Sequence, residues 1–197
     1  MASTASRTSL DQHRTTVLWG RIWVGTLSGT LFALTAAGVD SRIEHAWSTT
    51  PVVGDFGYGA DGAYVGSGAS VVALSAAGNI RWESGVGEPI HAAPAAVDGT
   101  VYAATRDGTL VALSAVAGDE RWRVETGGAI HGAPAIGGDH AYVGSRDRRL
   151  YAVAVEDGSV AWRIELPDWV DGSPAVGYGA LFVVDQSGTL SAVHAKK

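Results

Sequence analysis

The sequence predicts an all-β fold of repeated four-stranded antiparallel sheets, and three observations predict it. The chain repeats itself: residues 91–130, HAAPAAVDGTVYAATRDGTLVALSAVAGDERWRVETGGAI, return as residues 131–170, HGAPAIGGDHAYVGSRDRRLYAVAVEDGSVAWRIELPDWV, and a further copy opens at Asp171. Each of the two full copies holds four β-rich runs parted by turn residues such as Asp-Gly, the pattern of consecutive hairpins. No run reaches the length of a globular helix, and no apolar stripe with a helical period appears.

In the copy at 91–130 the first run, 94–97, is short and apolar and ends at Asp98-Gly99. The second, 101–105, ends at Arg106-Asp107-Gly108; the third, 109–115, ends at Ala117-Gly118-Asp119; the fourth is 120–125. With the runs lettered A to D, matching residues fall into columns. Strand A carries Pro51, Pro94, Pro134 and Pro174; strand B carries Trp23, Tyr64, Tyr102, Tyr142 and Phe182. Strand C carries Ala33, Ala73, Ala112, Ala152 and Ala192, and strand D carries Trp47, Trp82, Trp122 and Trp162. A sheet apolar on both faces cannot bury both alone, whereas stacking copies around an axis buries them between neighbours. Four strands per period near forty residues is therefore the pattern of a β-propeller blade. The alanine column is expected to leave room for an aromatic ring from the next blade.

Taken in order, residues 1–14 are polar and are expected to form a flexible arm, and 15–197 a single domain. Its repeats run approximately 15–50, 51–90, 91–130, 131–170 and 171–197. The first has A at 17–18, B at 22–26, C at 30–35, then a long loop to Trp47 on D. The second carries an insertion, GDFGYGADG, before Tyr64, and the last has A, B and C only. The expected architecture is about five blades, four complete and one lacking strand D, in a small ring or an open arc. The arm at 8–14 is a candidate for the missing strand but has no Trp and little β character.

Composition narrows the function classes. Gly is very frequent at 27 residues and charge is low at 17%, which suits many tight turns and sheets buried on both faces. The net charge of −6 lacks the basic footprint of a nucleic-acid binder. With no Cys, disulfides, thiolate metal sites and Cys nucleophiles are excluded. The start of the chain has no apolar core of signal-peptide length, and no apolar run is long enough to span a bilayer. As written the chain is expected in the cytoplasm, and outside it if the natural gene is longer.

The runs SPAV…G…LFVVDQSGTL and APAIGGDHAYVGSRDRRLYAVAVEDGSVAWR resemble the repeats of the PQQ-like β-propeller superfamily, over about 15–195. That group includes the BamB-type outer-membrane assembly scaffold and the quinoprotein dehydrogenases. The family's tryptophan-docking motif is matched at Ala112, Gly118 and Trp122, and at Ala152, Gly158 and Trp162. Its usual acidic position is Ser114 and Ala154 here, and its Thr position is Ala117 and Asp157. These departures are expected to weaken the hydrogen-bonding half of the docking and to leave the packing half. The resemblance implies eight blades as the usual number, against about five here. It also implies a quinone held by a Trp, a vicinal Cys pair and calcium in the dehydrogenases. This chain has no Cys and no carboxylate cluster with calcium spacing, so no quinone and no other cofactor is expected.

Candidate site residues come from the loops. Gly57-Tyr58-Gly59-Ala60-Asp61-Gly62 spells a dinucleotide fingerprint, but a strand follows it where a helix is needed, so it reads as a turn. His91, His131 and Asp171 each stand three residues before a strand-A Pro, with Ser48 their counterpart in the second copy. If strand A is innermost, they ring the central channel on one face. The B–C turns Arg106-Asp107, Arg146-Asp147-Arg148-Arg149 and Asp185-Gln186 share that face, as do Glu88 and Trp169 in the D–A loops. A divalent metal between His91, His131 and Asp171 is one reading; side chains that cap their own turns or face solvent are the plainer one. The Arg-rich turn reads first as a solvated face. The Trp column reads as core, while Trp169 breaks its register and is the better contact residue. No Ser-His-Asp order, HExxH, Walker loop or zinc spacing is found, so no enzyme is expected.

The function expected is a non-catalytic scaffold for protein–protein interaction, with His91, His131, Asp171, Trp169, Arg106, Arg146 and Arg148 as channel-face or partner contacts. Another protein, or a second copy joined through open propeller edges, is the expected partner. A small-ligand or metal-binding module using the channel face is the alternative, and a fragment of a quinoprotein oxidoreductase a third.

Overall fold

The computed structural model describes residues 14–18, 21–25, 31–35, 38–41, 57–59, 62–75 and 79–194, the first four stretches as backbone only. These residues form five antiparallel sheets in sequence order. The first is β1 (Arg14–Leu18), β2 (Arg21–Gly25), β3 (Leu31–Thr35) and β4 (Gly38–Ser41); the second is β5 (Gly57–Gly59), β6 (Gly62–Ser67), β7 (Ser70–Leu74) and β8 (Ile80–Gly85). The third is β9 (Ala95–Val97), β10 (Thr100–Ala104), β11 (Thr109–Ser114) and β12 (Glu120–Glu125). The fourth is β13 (Ala135–Gly137), β14 (His140–Ser145), β15 (Arg149–Ala154) and β16 (Val160–Glu165). The fifth is β17 (Ala175–Gly177), β18 (Ala180–Val184) and β19 (Leu190–His194). Four complete blades and one of three strands is the expected count, and the fold is a small β-propeller.

Turn chemistry sets the strand ends. Asp98 and Gly99 both have positive φ, 48° and 70°, as a two-residue type I′ hairpin between β9 and β10 requires. The prolines of the A column fall just outside the strands: Pro94, Pro134 and Pro174 each precede β9, β13 or β17 by one residue. A residue with no N–H fits the strand's entry better than its ladder. Of the glycine-rich run, Gly57 to Gly59 form β5 and Gly62 opens β6, paired antiparallel, which leaves no place for the helix a dinucleotide fingerprint needs; residues 60 and 61 lie outside the described residues. Strand D of the first blade departs from expectation. It is β4, which sets Ser41 opposite Ala33, the place held by Trp82, Trp122 and Trp162 in the next three blades. Trp47, its expected centre, lies outside the described residues, as do Ser48, Pro51 and all of the expected arm at 1–14 except Arg14, which opens β1.

Central strands are buried on both faces, and their alternate residues serve different neighbours. Val101 and Ala103 pack with Tyr64, Val71 and Ala73 of the second blade, while Tyr102 and Ala104 pack with Ala141, Val143, Tyr151 and Val153 of the fourth. This period of two explains why β6 and β10 are apolar runs rather than alternating ones. Innermost strands meet around the axis, β5 against β9, β9 against β13, and β13 against β17.

The alanine column has a different reason from the one expected. Tyr64, Ala73 and Trp82 lie in one cross-strand row of one blade, and so do Tyr102, Ala112 and Trp122. Strands B and D are two ladder steps apart, roughly 10 Å. Their rings nonetheless approach to 5.7 Å in the second blade and 5.8 Å in the third. The two rings lean together over the alanine between them, so the small residue accommodates its own blade's aromatics. A β-bulge beside each Trp, at Ala73/Leu74, Ala112/Leu113 and Ala152/Val153, locally bends the outer strand.

Candidate functional site

From the second blade to the fifth, each described blade is stapled to the next by a backbone hydrogen bond on one face. The N–H of Arg106 donates to Pro89 O at 2.9 Å, that of Arg146 to Ala129 O at 2.9 Å, and that of Gln186 to Trp169 O at 2.8 Å. The donors are the second residues of the B–C turns and the acceptors lie in the D–A loops of the preceding blade. This is why Arg106, Arg146 and Gln186 are held in a row on the channel face, and why Trp169 sits beside Gln186.

The turns themselves are built by short polar side chains. Asp107 Oδ1 accepts from Thr105 Oγ1 at 2.5 Å and from the Thr109 N–H at 3.2 Å. Asp147 accepts from the Arg149 N–H at 3.1 Å and from the Tyr151 hydroxyl. In the last blade the order is swapped: Asp185 takes the place of Thr105, and its Oδ1 accepts from the Ser187 and Thr189 N–H groups at 3.0 and 3.1 Å. Capping by Asp is thus the role of Asp107, Asp147 and Asp185, which leaves Asp171 for the channel mouth.

His91, His131 and Asp171 are brought together as expected. The two imidazoles are stacked, with centroids 5.6 Å apart and planes 14° from parallel, and His131 Nδ1 lies 3.9 Å from Asp171 Oδ1. Asp171 is engaged elsewhere. Arg146 holds it bidentately, Nε to Oδ1 and Nη2 to Oδ2 both at 2.9 Å, and Gln186 Nε2 donates to Oδ2 at 2.9 Å. Arg146, with burial opposing it, keeps the Asp171 carboxyl below its ordinary range. The same guanidinium lies 5.1 Å from the centre of the Trp169 ring, whose residue is 48% exposed. Arg146, Asp168, Trp169, Asp171 and Gln186 line a cavity of about 420 Å³. Arg106 stands exposed beside the histidine pair. Arg148 does not join the cluster. It reaches Glu165 of β16 at 3.4 Å, with both side chains in solvent. Among the described residues no group of three or more His, Asp or Glu converges as a metal site would.

Both histidines titrate below the ordinary 6.5, chiefly from burial, then from Arg106 for His91 and Arg146 for His131; Asp171 pulls His131 upward and is outweighed. The rings are therefore neutral at pH 7, and the contact of His131 with Asp171 is not an ion pair there. The unfolded chain takes up these protons at higher pH than the folded one, so stability is full above 6.5 and falls as the pH drops below it. Urea midpoints are expected to fall between pH 7 and pH 5, and to fall less in the double variant His91→Gln/His131→Gln. An equal fall in both proteins would contradict this assignment.

Tryptophans of the D column join blades. Trp82 Nε1 donates to Ala115 O and Trp122 Nε1 to Val155 O, both at 3.0 Å and both across to the next blade. Gly118 lies under the Trp82 ring and Gly158 under the Trp122 ring, where a Cβ would come within 2.7 and 2.8 Å of ring carbons. The hydrogen-bonding half of the docking is thus retained despite Ser114, Ala117, Ala154 and Asp157. Its acceptor is a backbone carbonyl, which every residue offers whatever its side chain.

The fold and this junction define a class: β-propeller repeat proteins whose blades are locked by docked tryptophans. The family model described as outer membrane protein assembly factor BamB matches residues 8–130 and again 117–197, and the chain belongs to that family. Among solved structures it is similar to BamB from Moraxella catarrhalis, with a TM-score of 0.77 and 22% identity over 96% of this chain and 60% of that one. It is also similar to the computationally designed Ika8 protein, with a TM-score of 0.78, 13% identity and coverage of 92% and 57%. A third likeness is the computationally designed Ika4 protein, with a TM-score of 0.69, 14% identity and coverage of 79% and 96%. The chain spans about 60% of the length of the Moraxella protein. No curated protein matches the chain. No helix among the described residues is long and apolar enough to cross a membrane.

The channel-mouth cluster was legible in the sequence because its members recur once per period, with Trp169 as the exception to a column. Gln186 was legible only as a turn residue, since its bond to Asp171 joins positions fifteen apart that only the staple brings together.

Proposed function

We propose that this chain is a non-catalytic scaffold that binds another protein at the channel mouth, with Trp169 and Arg146 at the centre of the contact. One observation carries the reading. Trp82, Trp122 and Trp162 pack on their blades, whereas Trp169 stands 48% exposed on a loop, stacked by a guanidinium that Asp171 holds in place. An exposed Trp beside a pre-ordered Arg is the composition of an interface hot spot, because large rigid area is offered at little entropic cost. Membership of a family described as an assembly factor supports the same class of role.

The test uses Trp169→Ala and Arg146→Ala. A partner captured on the wild-type chain and then purified should bind each variant about tenfold or more weakly, with unfolding temperature unchanged. Equal affinity for both variants would remove the face from the interface. A second reading, a small polar ligand in the 420 Å³ cavity, is favoured by its convergent Arg, Asp, Gln and Trp. A thermal-shift screen with metal ions, sugars and quinone separates the two.

Self-association through open edges is the other partner reading. Light scattering on a sizing column is expected to show a species larger than the 20.2 kDa monomer if the edges pair, and a sharp monomer if the ring closes on itself.

A further inference from the structure

We infer that His91, Arg106 and His131 form a receptor for one carboxylate, supplied by an acidic side chain of the partner protein. This rests on the reading of the chain as a protein-binding scaffold and names the chemistry that its channel mouth receives. The repeat provides the template, because the next junction between blades already holds such a carboxylate.

In the third and fourth blades the second residue of the B–C turn stands between two channel-mouth positions, that of its own blade and that of the next. Arg146 stands between His131 and Asp171, and Arg106 between His91 and His131. The two arginines are anchored alike. Each donates its N–H to a carbonyl two residues before the histidine of its own blade, Pro89 O before His91 and Ala129 O before His131. Twenty-five residues on from Arg146 is Asp171, whose carboxylate takes both Nε and Nη2 at 2.9 Å. Twenty-five residues on from Arg106 is His131, and the Arg106 guanidinium has no hydrogen bond or ion pair among the described residues.

No described carboxylate of the chain itself takes that place. Asp107 turns into its own hairpin, where it accepts from Thr105 and Thr109. Glu88, exposed in the loop before His91, forms no ion pair among the described residues. Asp171 reaches within 3.9 Å of His131 but is held by Arg146 on the other side. The two imidazoles are half-buried and stacked, and neither ring makes a hydrogen bond among the described residues. A neutral imidazole still has one N–H to donate. A free guanidinium fork between two such rings is a set of donors without an acceptor, and a carboxylate matches it. A divalent cation would instead meet the guanidinium as like charge. Arg106 is exposed, so the occupant reaches in from a larger surface rather than being enclosed as a small ligand is.

Such binding takes up protons. Burial, then Arg106 and His131, holds the His91 ring below its ordinary range. Burial, then Arg146 and more weakly Arg106, does the same for His131 against the pull of Asp171. A carboxylate seated beside these rings favours their charged form, so affinity rises as the pH falls through the ordinary histidine range. A glutamate side chain, which titrates near about 4.3, stays ionised through that window.

The probe is a blocked peptide with a single acid, acetyl-Gly-Ser-Glu-Ser-Gly-amide, titrated onto the full chain while the ring signals of His91 and His131 are followed by NMR. Saturable shifts of both rings are expected, with an affinity about tenfold above that of the same peptide carrying Gln. Affinity should rise about threefold or more from roughly pH 7.5 to pH 6. Arg106→Gln alters an exposed side chain with no partner to lose, and should weaken binding about tenfold. Arg148→Gln, whose guanidinium turns to Glu165, should leave it unchanged. Absence of saturable binding, or binding that ignores the Gln peptide, Arg106→Gln or the pH, overturns the inference. So does succinate binding more tightly than the peptide, which would make the occupant a small acid. Loss of the channel-mouth partner with Trp169→Ala would still stand in those cases, so the two readings fail separately.

Discussion

Replacing Trp122 by Ala is expected to cost about 3–5 kcal/mol and to lower the unfolding temperature by roughly 10 °C or more. Trp122 is 8% exposed, packs with the buried residues between the third and fourth blades, and ties Val155 to its own blade through Nε1. Trp122→Phe keeps most of the packing and drops the hydrogen bond, so about 1–2 kcal/mol of that loss should appear. Gly158→Ala attacks the same junction from the other side. Its φ is 76°, and a Cβ would meet Trp122 ring carbons at 2.8 Å. Backbone strain and overpacking together should cost about 2–4 kcal/mol. The double variant is the sharper measurement. Once the ring is gone the Cβ has space and only the backbone strain remains. The two losses should therefore fall short of adding by about 1 kcal/mol or more. Strict additivity in calorimetric or denaturant unfolding would show that the ring does not rest on this glycine.

Gly57→Ala is expected to be at least as damaging, about 3 kcal/mol or more, because the obstacle is backbone. A Cβ there would stand 1.8 Å from Pro94 O and 2.8 Å from Pro94 C, at the entry to the next blade's innermost strand. No side-chain rotation relieves that contact, so β5 and β9 must part. The equivalent residues of later blades are Ala95, Ala135 and Ala175, so it is at the second and third blades that the axis is pinched. Gly177 provides the control, since nothing lies within 4 Å of a Cβ built there. Gly177→Ala should change stability by no more than about 0.5 kcal/mol. Comparable losses at both positions would mean that the close approach at the axis is not what Gly57 serves.

Much of the fold was legible because the repeat states it several times. A column of Tyr, Ala or Trp that returns every forty residues identifies strand, register and inward direction together, without any one copy being decisive. Where a single copy had to be read alone less was legible. Trp47 was expected on strand D of the first blade; the fourth strand described there is β4, and Trp47 lies outside the described residues. The meaning of the columns was also less legible than their existence. Alanine between two aromatics reads equally well as space for a neighbour's ring or for its own, and only the 5.7 and 5.8 Å ring separations chose the second.

The candidate site divides in the same way. His91, His131 and Asp171 could be placed on one face from their common offset to Pro94, Pro134 and Pro174. That Arg146 rather than a metal ligand takes up Asp171, and that Arg148 turns away to Glu165, depends on side-chain directions within one turn. The sequence by itself determined the four-strand repeat and the placing of Trp82, Trp122 and Trp162 on the fourth strand of their blades. These depend on local periodicity and turn chemistry, which neighbouring residues encode. The tertiary structure alone decided which carbonyls Trp82 and Trp122 reach and which carboxylates Arg146 and Arg148 hold. All but the last of those contacts join residues of different blades, and their geometry follows from how the sheets stack about the axis.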